Sequence, residues 1–178
     1  MGGAYKRING AGTTTRLVML PDPFHDIQLD IGRFVMCCTS LEWLAFGAIH
    51  QLEPDAAVAA TLADQEIQRR VVALLELSRR QMTGAATPEW LLLWERVCSL
   101  LQDRRAILHN PLLLELWEND QGEHLITASI HQFRRRGPAV KPLTPAFIRE
   151  AADKAERYAL EAHRLWSICF PDASLFEH

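Results

Sequence analysis

The four cysteines of this chain, Cys37, Cys38, Cys98 and Cys169, form no Cys-x-x-Cys pair and sit in apolar stretches. Thiols in such surroundings behave as small hydrophobes, and a reducing, cytoplasmic setting is expected. Positive charge is not in excess: 19 Lys and Arg stand against 22 Asp and Glu, for a formal net charge of -3. No global field therefore draws in nucleic acid, and binding of that kind needs a local basic cluster. Long apolar runs are missing as well. The stretch Trp90 to Trp94 is among the longest, far short of the roughly 20 residues that span a bilayer, and the first residues lack the apolar core of a signal peptide, so the expectation is no membrane. The motifs of several enzyme classes are absent too: there is no Glu-x-x-His pair, no His-Glu-x-x-His helix, no phosphate-binding glycine loop and no Gly-x-Ser-x-Gly elbow. Metal ligands and cofactors are accordingly expected to be none.

What is present is globular and helical. Hydrophobic residues make up 48% and charged residues 23% of 178 residues, enough for one well-buried core. Residues 1–22, rich in Gly and Thr and closed by Pro21, read as a flexible segment or a peripheral strap. From Phe24 to Gln51, Ile27, Ile31, Phe34, Cys38, Leu41, Ala45 and Ile49 recur at steps of three and four, the signature of an amphipathic helix. After Pro54, Ala56 to Ala63 and Ile67 to Met82 carry helical patterns, read as one helix, kinked or split. Thr87-Pro88 reads as an N-cap followed by proline at the first helical position. The series Trp90, Trp94, Val97, Leu101, Leu108 follows, and Pro111 ends that helix near His109. Leu112 to Trp117 and Leu125 to Phe133, parted by Asn119-Asp120-Gln121-Gly122, read as a small antiparallel hairpin. Thr144-Pro145 opens a last helix through Ile148, Ala152, Ala155, Tyr158, Ala159, Ala162, Leu165 and Trp166. The expected fold class is mostly α: a bundle of four to five helices with a small β-hairpin insertion, its domain over 23–170 and a C-terminal tail over 171–178.

Two charges fall where the pattern wants apolar residues. At about 100° per residue, Arg104 lies in the middle of the apolar arc of the helix over 90–109, with Arg105 and His109 near its edge. Glu42 lies inside the apolar arc of the first helix. An unpaired buried charge costs several kcal/mol, so Glu42 and Arg104 or Arg105 are natural partners. The plain account is an internal ion pair, with His109 capping a helix end where cations favour the exposed carbonyls.

The segment Asp103-Arg104-Arg105-Ala106-Ile107-Leu108-His109-Asn110, at the end of an apolar helix, resembles the Arg-x4-His motif of the HEPN superfamily of helical nucleases. The layout over residues 24 to 168 resembles a HEPN branch too, with an inward glutamate in the first helix (Ser40-Leu41-Glu42-Trp43), a motif late in a later helix, a small hairpin and a closing helix. One departure is that Arg105 stands where the superfamily commonly has asparagine or aspartate. The resemblance implies metal-independent RNA cleavage at a dimer interface, the two motifs facing each other across a twofold axis. It assigns acid–base work on the ribose 2′-hydroxyl to His109 and phosphate stabilisation to Arg104, chemistry that suits both side chains near neutral pH. Glu42 and Arg105 support the site. Asn110 either contacts substrate or caps the helix, the second being the plainer role. Arg134, Arg135 and Arg136 form a basic run that can meet RNA phosphates, although such runs are usually solvated loops.

Three functions follow. The first is a HEPN-type ribonuclease, a homodimer acting as a toxin or defence component and held in check by an antitoxin-like protein partner. The second is a HEPN-like helical module that binds or scaffolds without catalysis. The third is a helical regulatory protein outside the superfamily.

Overall fold

The computed structural model describes residues 5–7, 22–108, 112–121, 123–134, 137–142 and 144–173. Among them are five helices: α1 Asp22–Leu52, α2 Ala56–Ala63, α3 Ile67–Gln81, α4 Thr87–Leu108 and α5 Pro145–Cys169. None is long and apolar enough to cross a membrane. Four strands, β1 Tyr5–Arg7, β2 Leu112–Asn119, β3 His124–Arg134 and β4 Gly137–Pro142, pair antiparallel in the order β1-β2-β3-β4. Most of the segment expected to be flexible, residues 8–21, lies outside the described residues, as do the last five residues of the C-terminal tail.

The helices begin and end for local reasons. Pro54 cannot donate to α1, and Asp55 then caps α2 by accepting from the amides of Ala57 and Val58 at 2.9 and 3.2 Å. α2 ends at its C-cap Asp64, whose amide donates to the Ala60 carbonyl at 3.0 Å, and α3 starts afresh at Ile67, so what the sequence left open as kinked or split is split. Thr144 caps α5 as expected, its Oγ1 accepting from the amide of Phe147 at 3.1 Å, with Pro145 at the first helical position. Thr87 departs from its expected role. The Ala86 carbonyl accepts the first helical bond, from the amide of Trp90, so Thr87 falls inside α4 and its buried Oγ1 has no partner among the described residues.

The chain divides into two compact units. The first joins Met1–Gly32 with Arg105–Glu150. In it Arg149 reaches Asp30 at 3.2 Å and Asp26 at 3.9 Å, tying the start of α5 to the start of α1. Asn119 organises the turn after β2, its Oδ1 accepting from the amides of Gln121 and Glu123 at 3.0 and 2.8 Å.

The second unit, Arg33–Arg104 with Ala151–His178, holds the main core. Phe34, Cys38, Leu41, Ala45 and Ile49 of α1 are buried, which is the stripe the spacing predicts. Val71, Leu74 and Leu77 of α3, Trp90, Trp94, Val97 and Leu101 of α4, and Ala155, Ala162 and Leu165 of α5 complete the core. Trp90, Trp94, Trp166 and Phe170 form an aromatic cluster with centroids 4.8 to 5.5 Å apart in tilted and edge-on pairs. The Trp90 indole donates to the buried Ser78 hydroxyl at 2.9 Å. Within this unit α1 and α5 run parallel, because Arg33 meets Asp153 and Glu156, Ser40 meets His163, and Gly47 abuts Trp166.

Candidate functional site: the Glu42–Arg104 pair

Arg104 is placed by its register on α4. Leu100, Leu101 and Ile107 around it are buried, so its long side chain leaves the apolar face sideways and keeps its charged head at the edge of the core. Glu42 sits one helical turn beyond buried Cys38 on α1. The two meet, Arg104 Nη2 lying 2.8 Å from Glu42 Oε1, with 23% and 28% of their side chains exposed. The inward charges thus neutralise each other, and of the two arginines considered from the sequence it is Arg104 that pairs with Glu42. Arg105 is exposed on α4.

The Arg104 guanidinium is not fully satisfied among the described residues: its Nε is buried and finds no hydrogen-bond partner there. A second guanidinium lies close by. Arg70 of α3 directs Nη1 to the Glu42 carbonyl at 3.5 Å and Nη2 to the Gln65 carbonyl at 2.9 Å, and its Nε is likewise buried without a partner among the described residues. A buried donor without an acceptor costs about 1–3 kcal/mol, so both Nε groups are places where an acceptor oxygen would be stabilising. Arg70 does not figure in the sequence reading, yet the signal was available. On α3 it falls between Ile67, Val71, Leu74 and Leu77, the same inward placement that singles out Arg104.

Cys38 is the nearest candidate nucleophile. Its thiol is pushed up to about 12, first by burial, against the lowering effect of Arg104 and with smaller raising effects from Cys37 and Glu42. A thiol held neutral in this way is inert near pH 7. Ser40 and His163 form the other pair with chemical potential, Ser40 Oγ lying 2.8 Å from His163 Nε2. Ser40 and Glu42 point about 160° apart around α1, however, so this pair does not converge on the Arg104 side. Among the described residues no group of three or more His, Cys, Asp or Glu is placed to hold a metal ion.

His109 and Asn110 lie outside the described residues, as do Arg135 and Arg136. Arg134 is the last residue of β3. Of the expected constellation, then, Glu42 and Arg104 are brought together. Surface cavities of about 500 Å³ along α2–α3 and about 340 Å³ beside the α3–α4 loop are lined by neither Glu42 nor Arg104. Compared with known proteins, the chain matches no protein-family model, no curated protein and no solved structure.

Proposed function

We propose that this protein is a metal-independent ribonuclease of the HEPN type, acting as a cytoplasmic homodimer in toxin or defence biology under the control of an antitoxin-like partner. The observation that carries the reading is an arginine near the end of an apolar helix, held at the edge of the core by a glutamate of the first helix at 2.8 Å. In the proposed reaction the ribose 2′-oxygen attacks the adjacent phosphorus, His109 takes its proton, and the 5′-oxygen leaves as a hydroxyl on receiving a proton. A 2′,3′-cyclic phosphate results. Arg104 offsets the charge that develops on the phosphoryl oxygens. Glu42 acts as a positioning residue, and the basic run Arg134, Arg135 and Arg136, just beyond the small β-hairpin insertion in sequence, meets the RNA backbone. Five helical positions separate Arg104 from His109, about 140° around a straight helix, so the reading completes the site across a twofold axis.

A second reading is a non-catalytic binding or scaffold module. The same ion pair favours it, because a guanidinium engaged by a carboxylate is already employed in structure. Cleavage assays on purified protein separate the two. The ribonuclease reading expects cleavage of single-stranded RNA in the presence of chelator, with cyclic-phosphate ends. His109→Ala or Arg104→Ala should reduce it by about 10²–10⁴-fold with the circular-dichroism spectrum unchanged. A parent protein that binds RNA without cutting it, or variants that cut at the parent rate, would leave the scaffold reading in its place.

A further inference from the structure

The outer face of the parallel α1–α5 pair in the second unit leaves three large apolar side chains in water. Met36 is 71%, Trp43 61% and Leu160 67% exposed. Two polar rungs fix their neighbourhood. Arg33 Nη2 lies 2.9 Å from Asp153 Oδ1 and 2.6 Å from Glu156 Oε2, and Ser40 Oγ lies 2.8 Å from His163 Nε2. Met36 and Trp43 flank the Ser40 rung by about one turn on either side, and Leu160 precedes the His163 rung by one turn. On a wheel, Met36 and Trp43 point within about 20° of each other and nearly opposite buried Phe34 and Leu41. Leu160 likewise points roughly 140° to 160° away from buried Ala155 and Ala162. The three side chains therefore form one patch, crossed by charged and polar rungs.

We propose that a second copy of this chain docks on this face, α1 lying antiparallel to the α1 of the other copy about a twofold axis beside Thr39 and Ser40. The argument is one of area and self-complementarity. At about 200 Å² or more per large side chain, the three residues leave on the order of 400 Å² of apolar surface in water. A stable homodimer buries about 800 Å² per partner, of which about 65% is apolar, so three residues supply most of what such an interface needs. Position 39.5 is the midpoint of 36 and 43, so an axis there sets Met36 of each copy against Trp43 of the other, which is the isologous pairing a twofold requires. Insertion into lipid is disfavoured by Arg33, Asp153 and Glu156, which would have to follow the apolar residues out of water. Trp43 points about 100° away from Glu42 around α1, so this contact goes beyond the ribonuclease reading and is not the one that would bring two Arg104 motifs together.

The test is sedimentation velocity on the full chain across a concentration series. Beyond any dimer formed through the Arg104 motifs, the parent should show a concentration-dependent association step, and Trp43→Glu or Leu160→Glu should weaken that step roughly thirtyfold or more with an unchanged circular-dichroism spectrum. Peroxide oxidation of Met36 in the unmodified protein, read by mass spectrometry, supplies a measure that needs no variant and should slow as concentration rises. A parent that remains monomeric at high micromolar concentration overturns the proposal. A Trp43→Glu, Leu160→Glu double variant whose mass follows the parent's across the whole series, or concentration-independent oxidation of Met36, overturns it as well. Mass is read here and cleavage in the preceding test, so failure of one does not mimic failure of the other.

Discussion

With about a quarter of each side chain in water, Glu42 and Arg104 stand between two regimes. A fully buried pair loses about 3–5 kcal/mol when one partner is removed, whereas an exposed pair contributes about 0–1 kcal/mol. We expect Glu42→Ala to cost about 1–2 kcal/mol and a double-mutant cycle with Arg104→Ala to return a coupling of about 1 kcal/mol, measured by urea denaturation. A coupling near zero would mean that solvent screening has erased the interaction, and Glu42 would then have no part in positioning Arg104. The pairing itself was legible in the sequence, because a charge inside an apolar arc must find its opposite. Arg70 is equally inward on α3 and escapes notice, since a guanidinium that reaches backbone carbonyls, here those of Glu42 and Gln65, has no counter-charge in the sequence to draw attention to it. The approach of His109 rests on the chain around Pro111, where helical spacing no longer dictates direction.

At the scale of elements, periodicity located the helices because each buries one stripe against a shared core. The start signals were read less evenly. Thr144 caps α5 and Thr87 does not cap α4, though both precede proline, and the difference lies in which carbonyl accepts the first helical bond, a choice fixed by tertiary packing beyond the dipeptide. Packing also decides the fate of Gly47, in the middle of α1. A Cβ there would lie 2.9 Å from Cη2 of Trp166, a buried ring tilted against Phe170 at 4.8 Å and so poorly able to give way. Replacing a mid-helix glycine by alanine ordinarily stabilises by about 1 kcal/mol, while overpacking a core costs about 1–3 kcal/mol. Gly47→Ala should therefore be net destabilising, lowering the melting temperature by a few degrees in calorimetry. A rise instead would show that the Trp166 ring moves freely, and the close α1–α5 packing would lose its rationale.

For the whole molecule the controlling quantity is a net charge of -3, which gives RNA no long-range reason to approach. Any affinity must come from a few local guanidinium–phosphate contacts, and the salt dependence of binding counts them. Each neutralised phosphate on a single strand contributes a slope of about -0.7 in the logarithm of affinity against the logarithm of salt. Arg104 acting alone gives a slope near -1, and Arg104 together with Arg134, Arg135 and Arg136 gives one near -3. We expect the steeper slope for catalytically silent His109→Ala protein binding a labelled single-stranded RNA, and a return to about -1 when the three arginines are replaced by alanine. A triple variant that keeps the parent slope would return Arg134 to Arg136 to the role of a solvated run and leave Arg104 as the phosphate contact. A slope near zero in both proteins would remove RNA from the account altogether, because no arrangement of neutral contacts on an acidic chain could replace the counterion release that such binding requires.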